Sequence, residues 1–421
     1  NCLYCHLPAP DFPNTFENLK FRETNKFDES CEFQHQSFQR FEKLTMANEG
    51  VPPIFAAQLN YLLSHSPFPI RVEQMWSGSK NEPWLDRFTL LIPFCLDYIK
   101  WDVMYNVHSP LSAPDVIFGP DDERFPPFLL SCGGDQTKSP LHILSNWNSK
   151  DPSRLLSLIL QLREFYSAYQ RKRVGEVDDD RVKFEISTML AREGIEMSLS
   201  SGAEKPEEVK FAVPLLDTNL NSMVPGCPWR HQQKIYLQVI YPIRKYQSAP
   251  SAPRLKLVST PELRSLFSVE DFKLLTWLDG MCMAEYLPAV EDTLQMQIVE
   301  AVSLIGIRRR FIEALPSAFG RPLEADAVFG RKAMVLVANG VFTFLVHFLI
   351  PLQFPKQQPT LILQSSQHFN AQGVPIRSPP VSEYPWSPRW ELSEMALRIF
   401  DFVVEESSNF KKSCNEALQQ R

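Results

Sequence analysis

The sequence predicts an α+β protein made of repeated antiparallel meanders, each of four strands flanked by helices. Three observations carry this. The stretch 333–363, AMVLVANGVFTFLVHFLIPLQFPKQQPTLIL, holds Asn339-Gly340 between two apolar runs rich in Val, Phe and Leu, the sequence signature of a tight hairpin with a type I′ turn. The strand ending at Phe354 then meets Pro355 and Pro359 before a fresh apolar run, Thr360 to Leu363; earlier, the strand Ile99 to Val107 meets Pro110 and Pro114 before Val116 to Phe118. Each proline fixes φ near −65° and removes a ladder donor, so such a pair makes a stiff bend at a sheet edge. Both stretches close alike, with a loop containing a tryptophan (Trp147, Trp386) and then a helix. A repeat of long period organises the chain.

The same hairpin stretch is long and apolar enough, from Ala333 to Phe354, to suggest a membrane span. Asn339-Gly340 folds it back, and Val335, Val337, Val341 and Val346 favour strand because they are branched at Cβ. The composition, 44% apolar and 22% charged, is that of a folded soluble protein, with room for about two to four domains. A net charge of −6 excludes the concentrated basic footprint of a nucleic-acid binder. The clusters Arg171-Lys172-Arg173 and Arg308-Arg309-Arg310 read as solvated helix faces. Eight thinly spread cysteines, several in apolar surroundings, suit reduced buried thiols, and the first residues, starting at Asn1, show no secretory pattern.

Taken in order, residues 1–49 are an irregular extension. Within it, Cys2-x-x-Cys5-His6 resembles a haem-attachment pattern and Cys31 with His35 could complete a zinc site, but the second-pair spacing is irregular and chance explains both better. Residues 50–175 form the first unit: a helix from Pro53 to Leu63, strands near 68–76, 87–96, 99–107 and 116–118, a loop from Gly119 to Asn148, and a closing helix capped by Asp151 with Pro152 at its first position. The stripe Leu155, Leu158, Ile159, Leu162, Phe165, Tyr166 and Tyr169 marks the buried face of that helix. Residues 176–285 read mostly as strand: 182–190, 195–199, 209–215, 234–241 and 254–258, with Tyr241-Pro242 and Pro253 as a fainter bend. Residues 286–421 begin with a helix from Thr293 to Leu315, continue through the hairpin, and end with a helix from Ser393 to Glu406 and a polar tail.

A helix, a four-stranded meander, a proline bend, a loop with Trp and a closing helix resemble the ubiquitin-conjugating fold. In that family a His-Pro-Asn stands in the loop before the catalytic cysteine, which is followed by Leu-Asp-Ile-Leu. Leu141-His142-Ile143-Leu144 resembles the last motif, so the cysteine position falls on Pro140 and the His-Pro-Asn position on Leu130-Ser131-Cys132. Pro140 has neither thiol nor N–H, and a thioester enzyme needs an activated thiolate. Cys132 is the nearby thiol and carries the alternative, a conjugating enzyme using an atypical cysteine. The resemblance is to catalytically inactive variants of this fold, the UEV domains, in tandem; the middle unit reads as UEV- or RWD-like.

The match narrows further. Asp86-Arg87-Phe88, Lys100-Trp101-Asp102, Pro114-Asp115 and Ile117-Phe118-Gly119, with Gln358-Pro359-Thr360-Leu361, Tyr384-Pro385, Ser387-Pro388-Arg389-Trp390 and Glu394-Met395-Ala396, are similar to the first and last domains of the BRE family, the scaffold subunit of the BRISC and BRCA-A deubiquitinase assemblies. The resemblance implies a non-catalytic subunit joining a lysine-63-specific JAMM-type deubiquitinase and its Abraxas-like partner to a von Willebrand A-like adaptor. It implies work in DNA-damage signalling in the nucleus and in ubiquitin signalling in the cytoplasm. Ubiquitin itself is a further candidate ligand; no cofactor, metal, nucleic acid or membrane is implied.

The candidate partner-binding residues are Tyr384, Pro385, Trp386, Pro388 and Trp390, tryptophans stiffened by prolines, of a type favoured at interfaces. The plainer reading is that Trp386, Pro388 and Trp390 pack the loop onto the closing helix. Trp101 and Tyr105 alternate with polar residues on a strand and read as core, and His142 and His347, in apolar stretches, read as satisfied core histidines.

Overall fold

The computed structural model describes residues 50–79, 84–119, 122, 124–127, 140–189, 191–202, 205–216, 219–243 and 252–419. It contains three antiparallel sheets, each with its strands in chain order. The fold is α+β.

The first unit opens with α1 (Pro53–His65), whose Phe55, Leu59 and Leu62 are buried, and whose initial proline fits the one turn that has no donor to lose. Then come β1 (Arg71–Trp76), β2 (Arg87–Phe94), β3 (Asp97–Met104) and β4 (Asp115–Phe118), followed by α2 (Pro140–Ser145) and α3 (Ser153–Gly175). Asp151 accepts hydrogen bonds from the backbone N–H (3.0 Å) and hydroxyl (2.6 Å) of Ser153, so the helix starts one residue later than expected, with Pro152 at its cap. The predicted stripe of α3 is buried against Trp101, Phe125 and β2. Trp101 and Tyr105 lie in the core.

One turn of this sheet has no sequence signal. Cys95 and Leu96 alone join β2 to β3, and both have positive φ, 49° and 63°. Neither is Gly, Asn or Asp, the residues that usually occupy such a turn. The strain is offset by docking: the Cys95 N–H donates to a Glu196 carboxylate oxygen at 2.6 Å, and the thiol reaches the Lys210 carbonyl at 3.4 Å.

In the middle, the run expected to be a strand at 182–190 is the helix α4 (Asp180–Thr188). Asp179 caps it, accepting from Arg181 N–H (2.9 Å) and Val182 N–H (3.3 Å), and Val182, Glu185, Ile186 and Met189 share one buried side at helical spacing. The Asp179 cap and the helical spacing of the buried residues decide for helix. After α4 come β5 (Glu196–Gly202), β6 (Lys205–Leu215), the one-turn helix α5 (Leu220–Met223), β7 (Ile235–Pro242) and β8 (Arg254–Ser259), a third sequential meander.

The next helix, α6 (Met283–Ala314), begins ten residues before the expected Thr293 and contains Pro288. Its start is fixed by carboxylates. Glu285 accepts from Cys282 N–H at 3.2 Å, and buried Glu185 accepts from Met283 N–H at 2.9 Å and from the Tyr241 hydroxyl at 2.6 Å. Both oppose the partial positive charge of the helix N-terminus. Residues from Met283 to Ile305 pack into the middle core, whereas Phe311, Ile312 and Leu315 pack into the last one.

The last unit comprises α7 (Pro316–Phe319), β9 (Glu324–Ala325), β10 (Lys332–Asn339), β11 (Phe342–Leu349), β12 (Thr360–Phe369), β13 (Pro375–Arg377) and α8 (Leu392–Gln419), with a five-stranded sheet in the order β13-β12-β11-β10-β9. The helix α8 runs through the expected polar tail, burying Ser407, Phe410 and Cys414. No helix among the described residues is long and apolar enough to cross a membrane.

The hairpin exists, but its turn is one residue along from the expected Asn339-Gly340. Asn339 pairs with Phe342, so Gly340 and Val341 form the loop, and only Gly340 has positive φ, 60°. That is the type II′ arrangement, with glycine at the first central position. Asn339 instead donates to Ser407 Oγ at 2.8 Å, tying the hairpin to α8. A Cβ at Gly340 would meet nothing within 4 Å, so the cost of replacing it is conformational alone. Gly340→Val is expected to lower the unfolding free energy in urea by about 1–3 kcal/mol; an unchanged midpoint would contradict the turn assignment.

Candidate partner-docking loop

The proline bend and the loop before α8 form one assembly. The Trp386 indole N–H donates to the Pro355 carbonyl at 3.0 Å, and its ring lies 5.7 Å from Phe354, which is fully buried. The Tyr384 hydroxyl donates to the Pro359 carbonyl, and its ring lies tilted against Phe402 of α8, 5.3 Å between centroids. Burial pushes the Tyr384 phenol pKa up, so it remains a donor. Pro385, Pro388 and Arg389 are exposed, and Trp390 is half-buried with the Arg398 guanidinium 5.7 Å from its ring. The five candidate residues therefore lie together but divide by role in the fold: Tyr384 and Trp386 face the bend, while Pro385, Pro388 and part of Trp390 face solvent.

Trp386→Ala removes a half-buried ring and leaves the Pro355 carbonyl without its donor. It is expected to cost about 2–4 kcal/mol of stability, whereas Pro388→Ala should leave the melting temperature within about 1 °C. A thermal melt of both variants checks this contrast.

Elsewhere, the described residues show little reactive chemistry. Pro140 stands at the first residue of the six-residue α2, and Cys132 lies outside the described residues, as do Cys2, Cys5, His6, Cys31 and His35. His142 is exposed, with its Nε2 2.9 Å from Asn146 Nδ2, and is not a core histidine: the short α2 turns it outward. His347 is half-buried beside Gln364 Oε1 at 3.1 Å, its pKa lowered by burial and by Arg377. Cys95, Cys282 and Cys414 are buried, and burial pushes the Cys95 thiol up to about 12, the opposite of nucleophile activation. No group of three or more His, Cys, Asp or Glu among the described residues could hold a metal ion.

One basic residue departs from its expected solvated role. Arg308 is fully buried, donating from Nε to the Phe329 carbonyl at 2.9 Å and from Nη1 to the Leu352 carbonyl at 2.8 Å. It faces the segment 326–331, where Asp326 accepts from the N–H groups of Val328, Phe329 and Arg331. Gly330, at φ 65°, lets that segment approach: a Cβ there would lie 3.0 Å from Arg308 Cβ. Arg309 is half-buried and Arg310 exposed.

The loop and sheets can be set beside known proteins. The sequence profile of the Brain and reproductive organ-expressed protein (BRE) family matches residues 61–369. The chain belongs to the BRE family. "BRISC and BRCA1-A complex member 2" of Danio rerio is 29% identical over 348 residues, 78% of this chain and 85% of that protein. The protein of the same description from Branchiostoma floridae is 29% identical over 357 residues, covering 82% and 89%. The family match covers every strand from β1 to β12, and the two relatives are named as members of a complex. The match ends at Phe369, before the candidate loop.

Proposed function

We propose that the chain is a non-catalytic scaffold of a lysine-63-specific deubiquitinase complex, joining a JAMM-type peptidase and an Abraxas-like subunit to a von Willebrand A-like adaptor. The observation that carries this reading is membership of a family whose relatives are named for the BRISC and BRCA1-A complexes. The repeated helix, sequential meander and closing helix support reading the units as UEV-like domains, and the buried Cys95 and Cys414 thiols, whose pKa values burial raises, suit a binding role. In this reading the solvent-facing part of the 384–390 loop meets the adaptor, the first two units hold the peptidase side, and the assembly works in nucleus and cytoplasm.

The test has two parts. Co-expressed with the peptidase pair and the adaptor, the full chain should co-elute with all three, and its omission should separate adaptor from peptidase. Incubated with ubiquitin, activating enzyme and ATP, it should give no reducible adduct. A dithiothreitol-sensitive band lost in Cys132→Ser would favour the conjugating-enzyme reading instead.

A further inference from the structure

The helix α6 is continuous from Met283 to Ala314 but belongs to two cores. Leu294, Ile298 and Ile305 lie in the middle core, and Ile307, Phe311 and Ile312 pack into the last one. The residue between the two sets is Gly306. Pro288 also interrupts the helix, but Leu287 and Val290 on its two sides pack into the same core, so it separates no units.

Nothing in the packing asks for glycine at 306. The residue is exposed, and a Cβ added to it would meet no atom within 4 Å, unlike Gly330, where a Cβ would crowd Arg308. Glycine inside a helix is destabilising relative to alanine, because it gives up the most backbone freedom on folding. The turn before it is weakened as well. The Ser303 hydroxyl donates to the Glu300 carbonyl at 2.7 Å, competing with the helical N–H for that acceptor. A soft turn therefore falls where α6 leaves one core and enters the next.

Beside the helix, the junction is crossed from the last unit by Phe329 and Lys356. The segment 326–331 belongs to that unit's side of Gly306, since Arg308 holds the Phe329 carbonyl and Arg309 the Val328 carbonyl. From this segment Phe329, with Val328, reaches back to the middle core, its ring 5.5 Å from Trp229. Lys356 pairs with Glu300 at 3.0 Å, both exposed, so solvent screens the pair.

We propose that Gly306 is a hinge on which the C-terminal unit swings relative to the middle unit, with Phe329 against Trp229 as its latch. In the closed state the latch buries Phe329; in the open state α6 bends at 303–306 and Phe329 leaves the middle core. Burial of Phe329 outweighs the ease of bending, so the closed state is the major one and the open state a minority. Small residues at such a point absorb the backbone change while the packed units move as bodies. The device is a property of the free chain and does not depend on which partners it joins.

Two measurements on the full chain test this. In hydrogen exchange, the amides of residues 306–310, whose helical acceptors lie at 302–306, should exchange faster than those of 294–298 and 311–314. Gly306→Ala should slow them about three- to fivefold, as the helix-propensity difference requires. Pulsed EPR between spin-labelled unnatural residues at exposed Lys234 of the middle unit and exposed Gln372 of the last should show a main and a minor distance population. Gly306→Ala should shrink the minor population, and Glu300→Lys, which sets two lysines together without touching either core, should enlarge it about two- to threefold. Trp229→Ala should enlarge it further, with a thermal melt as the folding control; Glu300→Lys keeps the test decisive if that variant does not fold. A glycine without a hinge role would let Gly306→Ala raise the melting temperature and leave the distances unchanged, and that result overturns the proposal. So does one distance population indifferent to all three substitutions, or amides at 306–310 no faster than their neighbours.

Discussion

Arg308→Ala is expected to lower the unfolding free energy by about 3–5 kcal/mol, enough to unfold much of the C-terminal unit at physiological temperature. The guanidinium is buried without a carboxylate hydrogen bond. Its Nε and Nη1 satisfy the carbonyls of Phe329 and Leu352, and Nη2 has no partner. Burial, and the neighbouring Arg331, pull its pKa down to about 10, with Asp326 opposing, so it remains charged at neutral pH. The residue joins three pieces of chain: α6, the 326–331 segment and the start of the proline bend. Truncation would leave two buried carbonyls unpaired and a cavity the size of an arginine stem, and each effect costs separately. Arg308→Lys keeps the charge and can reach at most one carbonyl well, so it should recover part of the loss. Urea denaturation monitored at the last unit measures both variants; a change below about 1 kcal/mol for Ala would show that the carbonyls find other donors.

The architecture was legible where a single residue type dictates backbone geometry. Prolines at 110, 114, 355 and 359 bound the bends of the first and last sheets, and alternation fixed the burial of β11, where Phe342, Phe344, Val346 and Phe348 point inward. Legibility failed where distant residues decide. Arg308 reads as solvated because its neighbours Arg309 and Arg310 are polar; its burial depends on Gly330, twenty-two residues away, admitting the chain against it. The helix α4 reads as strand until Asp179 is seen as a cap, and α6 starts ten residues before Thr293 because Glu285 and Glu185, the second of them about a hundred residues away in the chain, take the N–H groups at its start. The candidate loop was legible as a group of five residues, yet its division into Tyr384 and Trp386 against the bend and Pro385 and Pro388 in solvent follows from carbonyls that sequence spacing does not locate.

Glu196→Ala is the second large effect expected, and it tests how the first two units are held together. One oxygen of this carboxylate takes the Cys95 N–H at 2.6 Å and the other takes Arg163, whose Nε also donates to the Pro93 carbonyl at 2.9 Å. The Arg163 guanidinium lies 4.4 Å from the Phe68 ring, and the two charged side chains are only 17% and 23% exposed. By contrast, Lys210 and Asp97 are 3.6 Å apart with Asp97 74% exposed, a pair that solvent screens and that contributes little. Removing Glu196 would leave a buried N–H at a turn already strained by two positive φ angles, and a largely buried cation without its anion. The expected loss is about 2–4 kcal/mol, with Glu196→Gln, which can still accept from Cys95, losing about half of that. Because Arg163 and Glu196 share the interaction, a double-mutant cycle with Arg163→Ala should show coupling of about 1.5–3 kcal/mol in urea denaturation. Coupling below about 0.5 kcal/mol would mean that apolar contacts around Ala212 hold the units together and that the carboxylate only fixes the turn.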